Sequence, residues 1–141
     1  MSESGVAALD HTVQETNIWL KATADQLHFE DRQHAYTALR AVLHALRDRL
    51  PPEVAVHLGA QLPILVRGIY YEGWHMAGKP MKDRTTQEFA AHVREELPPQ
   101  FPMDPLTVAR GVFEILWEKL DPGEFAKLTE HLPAPLRTLR Q

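Results

Sequence analysis

Hydrophobic residues recur at intervals of three and four along most of the chain, which is the spacing of one face of an α-helix. The clearest of these stripes lies in residues 31–50. We expect solvent exposure for three residues of this segment that fall outside the stripe, Arg32, Arg47 and Asp48. No segment alternates strictly between apolar and polar residues, and we therefore expect no β-sheet. The clearest stripe consists of Tyr36, Leu39, Val42 or Leu43, Leu46 and Leu50.

The same periodicity, together with the prolines, predicts an all-α fold. Proline is well tolerated in the first helical turn, where its missing N–H has no helical partner to lose. Asp104 and Asp121 each precede a proline and are predicted N-caps, while Thr85 and Glu88 have the spacing of a capping box. Gly73 is predicted to end the fourth helix. The eight predicted helices run from about Asp10 or Thr12 to Leu27, Asp31 to Leu50, Pro52 to Gln61, Pro63 to Glu72, Thr85 to Leu97, Pro105 to Leu120, Pro122 to His131, and Pro133 to Leu139.

The chain also resembles itself at an offset of 70 residues. Residues 16–71 align without a gap on residues 86–141, with twelve identical positions that include Leu46/Leu116. This pattern predicts a tandem-duplicated four-helix unit, packed as a pseudo-two-fold helical bundle within one domain. We expect the first repeat at about 12–73, a linker at 74–84 and the second repeat at 85–141.

Three adjoining segments resemble a known family. They are ALRAVLHALRDRLPPE at 38–53, HLGAQLP at 57–63 and RGIYYEGW at 67–74. In these segments the chain is similar to the bacterial family known as domain of unknown function 2267. The resemblance implies an all-helical bacterial protein with a duplicated unit, and it supplies no catalytic residue.

Composition limits the classes of function. The chain has no cysteine, so disulfides, thiolate metal sites and a cysteine nucleophile are excluded. A net charge of −4 argues against a nucleic-acid partner, since that affinity comes from lysine and arginine on phosphate. No apolar run approaches the roughly 18 residues of a membrane helix, and residues 1–13 contain no basic residue. We therefore expect a cytoplasmic protein that binds neither membrane nor nucleic acid.

The densest group of candidate functional residues lies at the end of the first repeat. It comprises Tyr70, Tyr71, Glu72, Trp74 and His75. One interpretation is an aromatic-walled pocket or partner surface, with the carboxylate and imidazole as acid/base or ligand groups. The other is a helix end packed by aromatic rings, which carry large packing areas wherever they lie.

Further candidates recur between the repeats. Arg40 and Arg110 occupy equivalent positions and could cradle a small anion, or each could bond a helix-end carbonyl or a nearby acid. Trp117 replaces Arg47 in the second repeat and is predicted to cover the other repeat or a second protein molecule.

Eight histidines raise the question of a metal site. Glu53/His57 and Glu88/His92 are spaced i, i+4, which we interpret as surface contacts rather than metal ligands. Phosphate-binding, nucleophile-elbow and zinc-protease motifs are absent from the sequence, so we predict no metal and no cofactor.

Two hypotheses of function follow. The first is a non-catalytic binding or protein-interaction module that acts through the Tyr70–His75 face and the groove between the repeats, with a protein partner or a second copy as its target. The second is a small-anion binder or enzyme that uses Arg40 and Arg110 with Glu72 or His75.

Overall fold

The fold of the chain was obtained as a computed structural model, which describes residues 3–140. The described residues are all-helical and contain no strand, as the hydrophobic periodicity predicts. In the described part of the chain, every helix is either too short or too polar to cross a bilayer. The eight helices are α1 (Ala7–Leu27), α2 (Arg32–Arg49), α3 (Pro52–Ala60), α4 (Ile64–Tyr71), α5 (Thr86–Glu96), α6 (Pro105–Lys119), α7 (Pro122–Glu130) and α8 (Ala134–Arg137).

Most predicted helix starts are confirmed at the level of the cap. Thr85 accepts from the backbone N–H of Glu88, whose side chain accepts in return from the backbone N–H of Thr85, so the capping box is complete. Asp104 accepts from two backbone N–H groups of the first turn of α6. Asp121 precedes α7 but makes no such bond, so its predicted side-chain cap is wrong.

Helices α1 and α4 are each terminated by a residue with positive φ, a backbone conformation that few residues other than glycine adopt. Gly73 has φ +72° directly after the last turn of α4, which confirms it as the residue that ends this helix. His28 ends α1 in the left-handed region, with φ 60°, and its neighbour's N–H reaches back to Ala24 O. α1 begins at Ala7 rather than at Asp10 or Thr12, and α8 ends at Arg137 rather than at Leu139.

The four long helices form the centre of the fold. α1 packs on α2 and α6, α5 packs on α6 and α2, and α2 contacts α6 directly. The short helices lie around them: α3 contacts α2, α4 and α7, while α7 contacts α6 and α8. Each short helix therefore joins its own long helices, and α3 and α7 meet one another.

One hydrophobic core runs through the described residues. Leu46 in α2 and Leu116 in α6 are both completely buried, as the apolar stripes predict. Gly111 allows α6 to approach α1 closely, because a Cβ at this position would overlap the side chain of Leu27. The long helices are thus held by close contact of small and large apolar residues.

The backbone is alike at boundaries that lie 70 residues apart. Leu50 and Leu120, which end α2 and α6, have φ/ψ of −88°/148° and −86°/155°. Pro63 and Pro133, which precede α4 and α8, have −56°/151° and −58°/151°. The same local turns therefore follow α2 and α6, and precede α4 and α8.

Candidate functional site

The predicted aromatic group lies between α3 and α4 and is mostly packed. Tyr70 is completely buried, and its hydroxyl donates to Ala55 O at 2.6 Å. Tyr71 donates to Val56 O at 3.3 Å, and the indole of Trp74 stacks on its ring with centroids 5.5 Å apart. These contacts fix α4 on α3, so the buried rings of this group serve packing.

The tyrosine packing depends on one glycine. A Cβ built at Gly59 of α3 would overlap the phenol of Tyr71, including its hydroxyl. A Cβ at Gly68 of α4 would meet nothing within 4 Å. Close approach of α3 and α4 therefore requires glycine at the first position only.

The two recurring arginines have different partners. Arg40 donates to Glu72 Oε1 from both Nε and Nη2, at 3.1 and 2.9 Å. Arg110 donates to Leu139 O at 2.8 Å. His75 is exposed. The structure therefore brings Arg40 to Glu72, and it engages Arg110 with the final turn of the chain.

Trp117 lies on the surface and makes a cation–π contact. It is 46% exposed, and the guanidinium of Arg140 lies 4.1 Å from the centre of its ring. Arg47, at the equivalent position of α2, instead donates to Tyr70 O and Glu72 O, both at 2.9 Å. Trp117 and Arg47 therefore have different environments: the first stacks with a guanidinium at the surface, and the second bonds backbone carbonyls in the interior.

A buried polar network joins α2, α5 and residues 72–85, the segment between α4 and α5. The predicted solvent exposure of Arg47 and Asp48 is wrong: they are 3% and 9% exposed, and Arg47 Nε donates to Asp48 at 2.9 Å. They are buried because α4 and residues 72–85 cover this side of α2, as the bonds from Arg47 and from Met81 N to Asp48 O indicate.

His92 completes the network, rather than making the predicted surface contact with Glu88. Its Nε2 lies 3.5 Å from Asp48 and its Nδ1 3.1 Å from Asp83, whose carbonyl also accepts from Arg49. Hydrogen bonding to Asp48 raises the pKa of His92, and the bond to Asp83 raises it further. Burial of the imidazole opposes both effects, but the net shift of the pKa is upward. Burial alone would raise the pKa of Asp48, but bonds from His92 and Arg47 lower it to about 2.

A second buried histidine links α2 to α4 and α5. His44 lies 2.7 Å from Ile69 O through Nε2, and 3.3 Å from Glu96 through Nδ1. Because a carbonyl only accepts, Nε2 carries a proton. Burial lowers the pKa of His44, and the positive charge of Arg47 lowers it further, although the bond to Ile69 opposes both.

A concave groove lies between α3 and α7, which we call the α3–α7 groove. It has a volume of about 230 Å³, with an apolar base and polar residues around it. Its base contains Leu58, Leu120 and Leu128, which are all buried, with partly exposed Val54 beside them. The exposed or partly exposed polar residues that also line it are Glu53, His57, Gln61, Glu124, Lys127 and His131.

Helical periodicity explains why these side chains share one groove. Positions i, i+3, i+4 and i+7 of a helix lie on one face, and each helix contributes such a set. The two sets are 70 residues apart: residues 54, 57, 58 and 61 of α3 and its C-cap, and residues 124, 127, 128 and 131 of α7 and its C-cap.

One side-chain hydrogen bond spans the groove. His57 Nε2 lies 2.6 Å from Glu124 Oε2, so the predicted contact of His57 with Glu53 is replaced by one across the two helices. Lys127 Nζ lies 3.8 Å from the other oxygen of Glu124. Glu124 therefore neutralises part of the positive charge at the mouth.

The sequence predicts a groove between the repeats but assigns no residue to it. The pairing of His57 with Glu124 joins residues 67 apart in sequence, which no local pattern reveals. The signal that could have found the groove is the offset of 70 residues, since positions 54, 57, 58 and 61 align with positions 124, 127, 128 and 131.

Comparison with known families supports the sequence resemblance. The sequence profile of the uncharacterized conserved protein family DUF2267 matches residues 16–139. The chain belongs to the DUF2267 family. The match extends from α1 to the segment after α8, and so includes every residue of the α3–α7 groove. No curated protein matches the chain.

Proposed function

We propose that this DUF2267 protein is a non-catalytic binding module that holds an apolar group in the α3–α7 groove. The observation that carries the proposal is the combination of about 230 Å³ of concave space with a base of buried leucines. Small-molecule sites are concave and mostly apolar, with a few polar groups that fix orientation. The groove has this composition, whereas the aromatic Tyr70–His75 segment is largely used for packing.

We further infer that the binding module consists of two related helical units, with the groove at their junction. The twelve identities at an offset of 70 and the matching turns at Leu50/Leu120 and Pro63/Pro133 support this. The groove adds further support, because the residues that line it from α3 and from α7 are also 70 positions apart. A duplicated unit places one short helix of each copy beside the other, and the groove forms where they fail to close completely.

The small-anion alternative has weaker support. Arg40 is already engaged by the carboxylate of Glu72, and Arg110 donates to Leu139 O. An anion would have to displace a carboxylate from the first arginine and would find a different environment at the second. Trp117 offers an exposed ring for a protein partner, but its contact with Arg140 covers part of that ring.

Two phenylalanine substitutions on α3 test the proposal. Val54 lines the groove, whereas Val56 is 47% exposed and does not line it. Val54→Phe should fill the groove, and Val56→Phe adds the same ring to the same helix elsewhere. The probe is fluorobenzene, whose binding is followed by ¹⁹F NMR line broadening.

We expect saturable binding by the unmodified protein and by Val56→Phe, and at least tenfold weaker binding by Val54→Phe. Circular dichroism of each variant verifies that the helices are intact. Absence of saturable binding to the unmodified protein would refute the proposal, as would an equal loss in both variants.

A further inference from the structure

We propose that the α3–α7 groove selects a compact, uncharged ring compound with a single N–H or O–H donor, of the indole or phenol class. This inference rests on the proposed binding function and adds the chemistry of the ligand. It comes from three properties of the groove: its volume, the signs of the charges at its mouth, and the protonation of one histidine.

The volume sets the size of the ligand. An apolar cavity of about 150 Å³ in another protein accepts benzene. The α3–α7 groove, at about 230 Å³, has room for one or two fused rings. Leu58 and Leu128 come from different helices and lie in the base, so a flat ring that rests on the base would contact apolar side chains of both helices.

The charges at the mouth disfavour a charged ligand of either sign. Glu53 and Glu124 would repel an anion. A charge of either sign held over the leucine base would lose its hydration, while Glu124 is already engaged by His57 and Lys127. The charges present largely satisfy one another, since Glu124 lies 2.6 Å from His57 and 3.8 Å from Lys127. A neutral ring enters without separating these pairs.

The histidine at the end of α7 provides a hydrogen-bond acceptor. His131 Nδ1 lies 2.9 Å from Lys127 O, and because a carbonyl oxygen can only accept, Nδ1 must be the protonated nitrogen. In the neutral ring, Nε2 then carries the lone pair. His131 is exposed and lines the groove one turn beyond Leu128, and its Nε2 is the proposed acceptor for a ligand N–H or O–H at the mouth.

The experiment compares two bicyclic compounds of nearly the same shape. Indole has an N–H group, and indene has a CH₂ group at the corresponding place. Titrations at pH 8, where histidine is ordinarily neutral, are followed by calorimetry or by protein NMR shifts. We expect indole to bind about threefold to tenfold more tightly than indene, the range of a net neutral hydrogen bond.

His131→Phe should remove the preference while leaving indene binding in place, because it deletes the acceptor and keeps an aromatic side chain. The charged compounds indole-3-carboxylate and tryptamine should both bind more weakly than indole. His131 is exposed, so His131→Leu is a second variant that should also fold and give the same loss of preference.

The outcomes separate the two proposals. Equal binding of indole and indene, or a preference that survives both His131 variants, would overturn the donor inference and leave the binding function intact. Stronger binding of either charged compound would overturn the neutral-ligand inference. Failure of indole, indene and fluorobenzene alike would overturn the binding function itself.

Discussion

Removing the charge of Asp48 should weaken the polar network that joins α2 to α5. Asp48→Asn preserves the shape of the side chain but replaces a carboxylate that accepts from Arg47 at 2.9 Å and faces His92 at 3.5 Å. The pKa of Asp48 is held at about 2, below its ordinary value of 3.8. One unit of pKa corresponds to about 1.4 kcal/mol, so the ionised form stabilises the fold by about 2 kcal/mol.

The variant also leaves the buried guanidinium of Arg47 without its counter-charge, which sets an upper limit of about 3–5 kcal/mol for the loss. We expect a decrease of about 2–3 kcal/mol in the free energy of unfolding, measured by urea denaturation at pH 7. Asp25→Asn is the matched control, because the pair of Asp25 with Lys21 is exposed on both sides. It should cost less than about 1 kcal/mol.

The pH dependence gives this prediction a second readout. A group whose folded pKa is lowered contributes stability above its unfolded pKa, and the contribution disappears as the pH falls through the folded value. The difference between the unmodified protein and Asp48→Asn should therefore be complete above about pH 5 and shrink between about pH 4 and pH 2. Equal effects of the two asparagine variants, or a pH-independent difference, would refute the reasoning.

Three further predictions concern the network and the core. The pKa of His92 is raised in the folded protein, so its contribution to stability should be complete in mildly acidic solution and decline as the pH rises through that raised value. Urea titrations between about pH 5 and pH 9 should show this decline in the unmodified protein. The variant His92→Asn should not show it. Leu46→Ala and Leu116→Ala should each destabilise by about 2–5 kcal/mol in denaturant melts, since both side chains are fully buried, and a negligible loss at either would contradict its core position. Gly59→Ala should lower the melting temperature because its Cβ overlaps a packed ring, whereas Gly68→Ala should leave it unchanged or raise it through helix propensity; the reverse order would refute the close approach of α3 and α4.

Helix positions could be read from the sequence because they depend on local rules. Apolar residues three and four apart define the stripe of α2, and prolines restrict where α3 and α7 can begin. The predicted capping box of α5 involves residues three apart, and it was confirmed. The predicted cap at Asp121 failed, which indicates that residue type alone does not fix the orientation of a capping side chain.

The site was harder to predict from the sequence than the helices, because its contacts depend on tertiary packing. Arg47 and Asp48 lie off the apolar stripe of α2, and nothing in that helix alone indicates that residues 72–85 cover them. His92 pairs with Asp48, 44 positions away, rather than with Glu88 on its own helix. A one-dimensional pattern identifies a face of a helix, but it does not identify what lies against that face.

The aromatic segment at residues 70–74 shows the converse error, in which residues predicted as a site serve packing. Tyr70, Tyr71 and Trp74 were candidates because of their chemical type, yet the first is fully buried and the others stack against each other. Aromatic rings contribute to cores and to binding sites alike, so their density in sequence does not distinguish the two. The α3–α7 groove, by contrast, is formed by ordinary leucines on two short helices.

Methyl NMR of the unmodified protein during a titration with indole tests the central claim most directly. With leucine and valine methyl groups labelled, the account predicts saturable shifts concentrated at Val54, Leu58, Leu120 and Leu128, on both sides of the groove. Shifts confined to one helix, shifts centred on the methyl groups around Trp74, or no saturable shift at all would contradict a ligand site between α3 and α7.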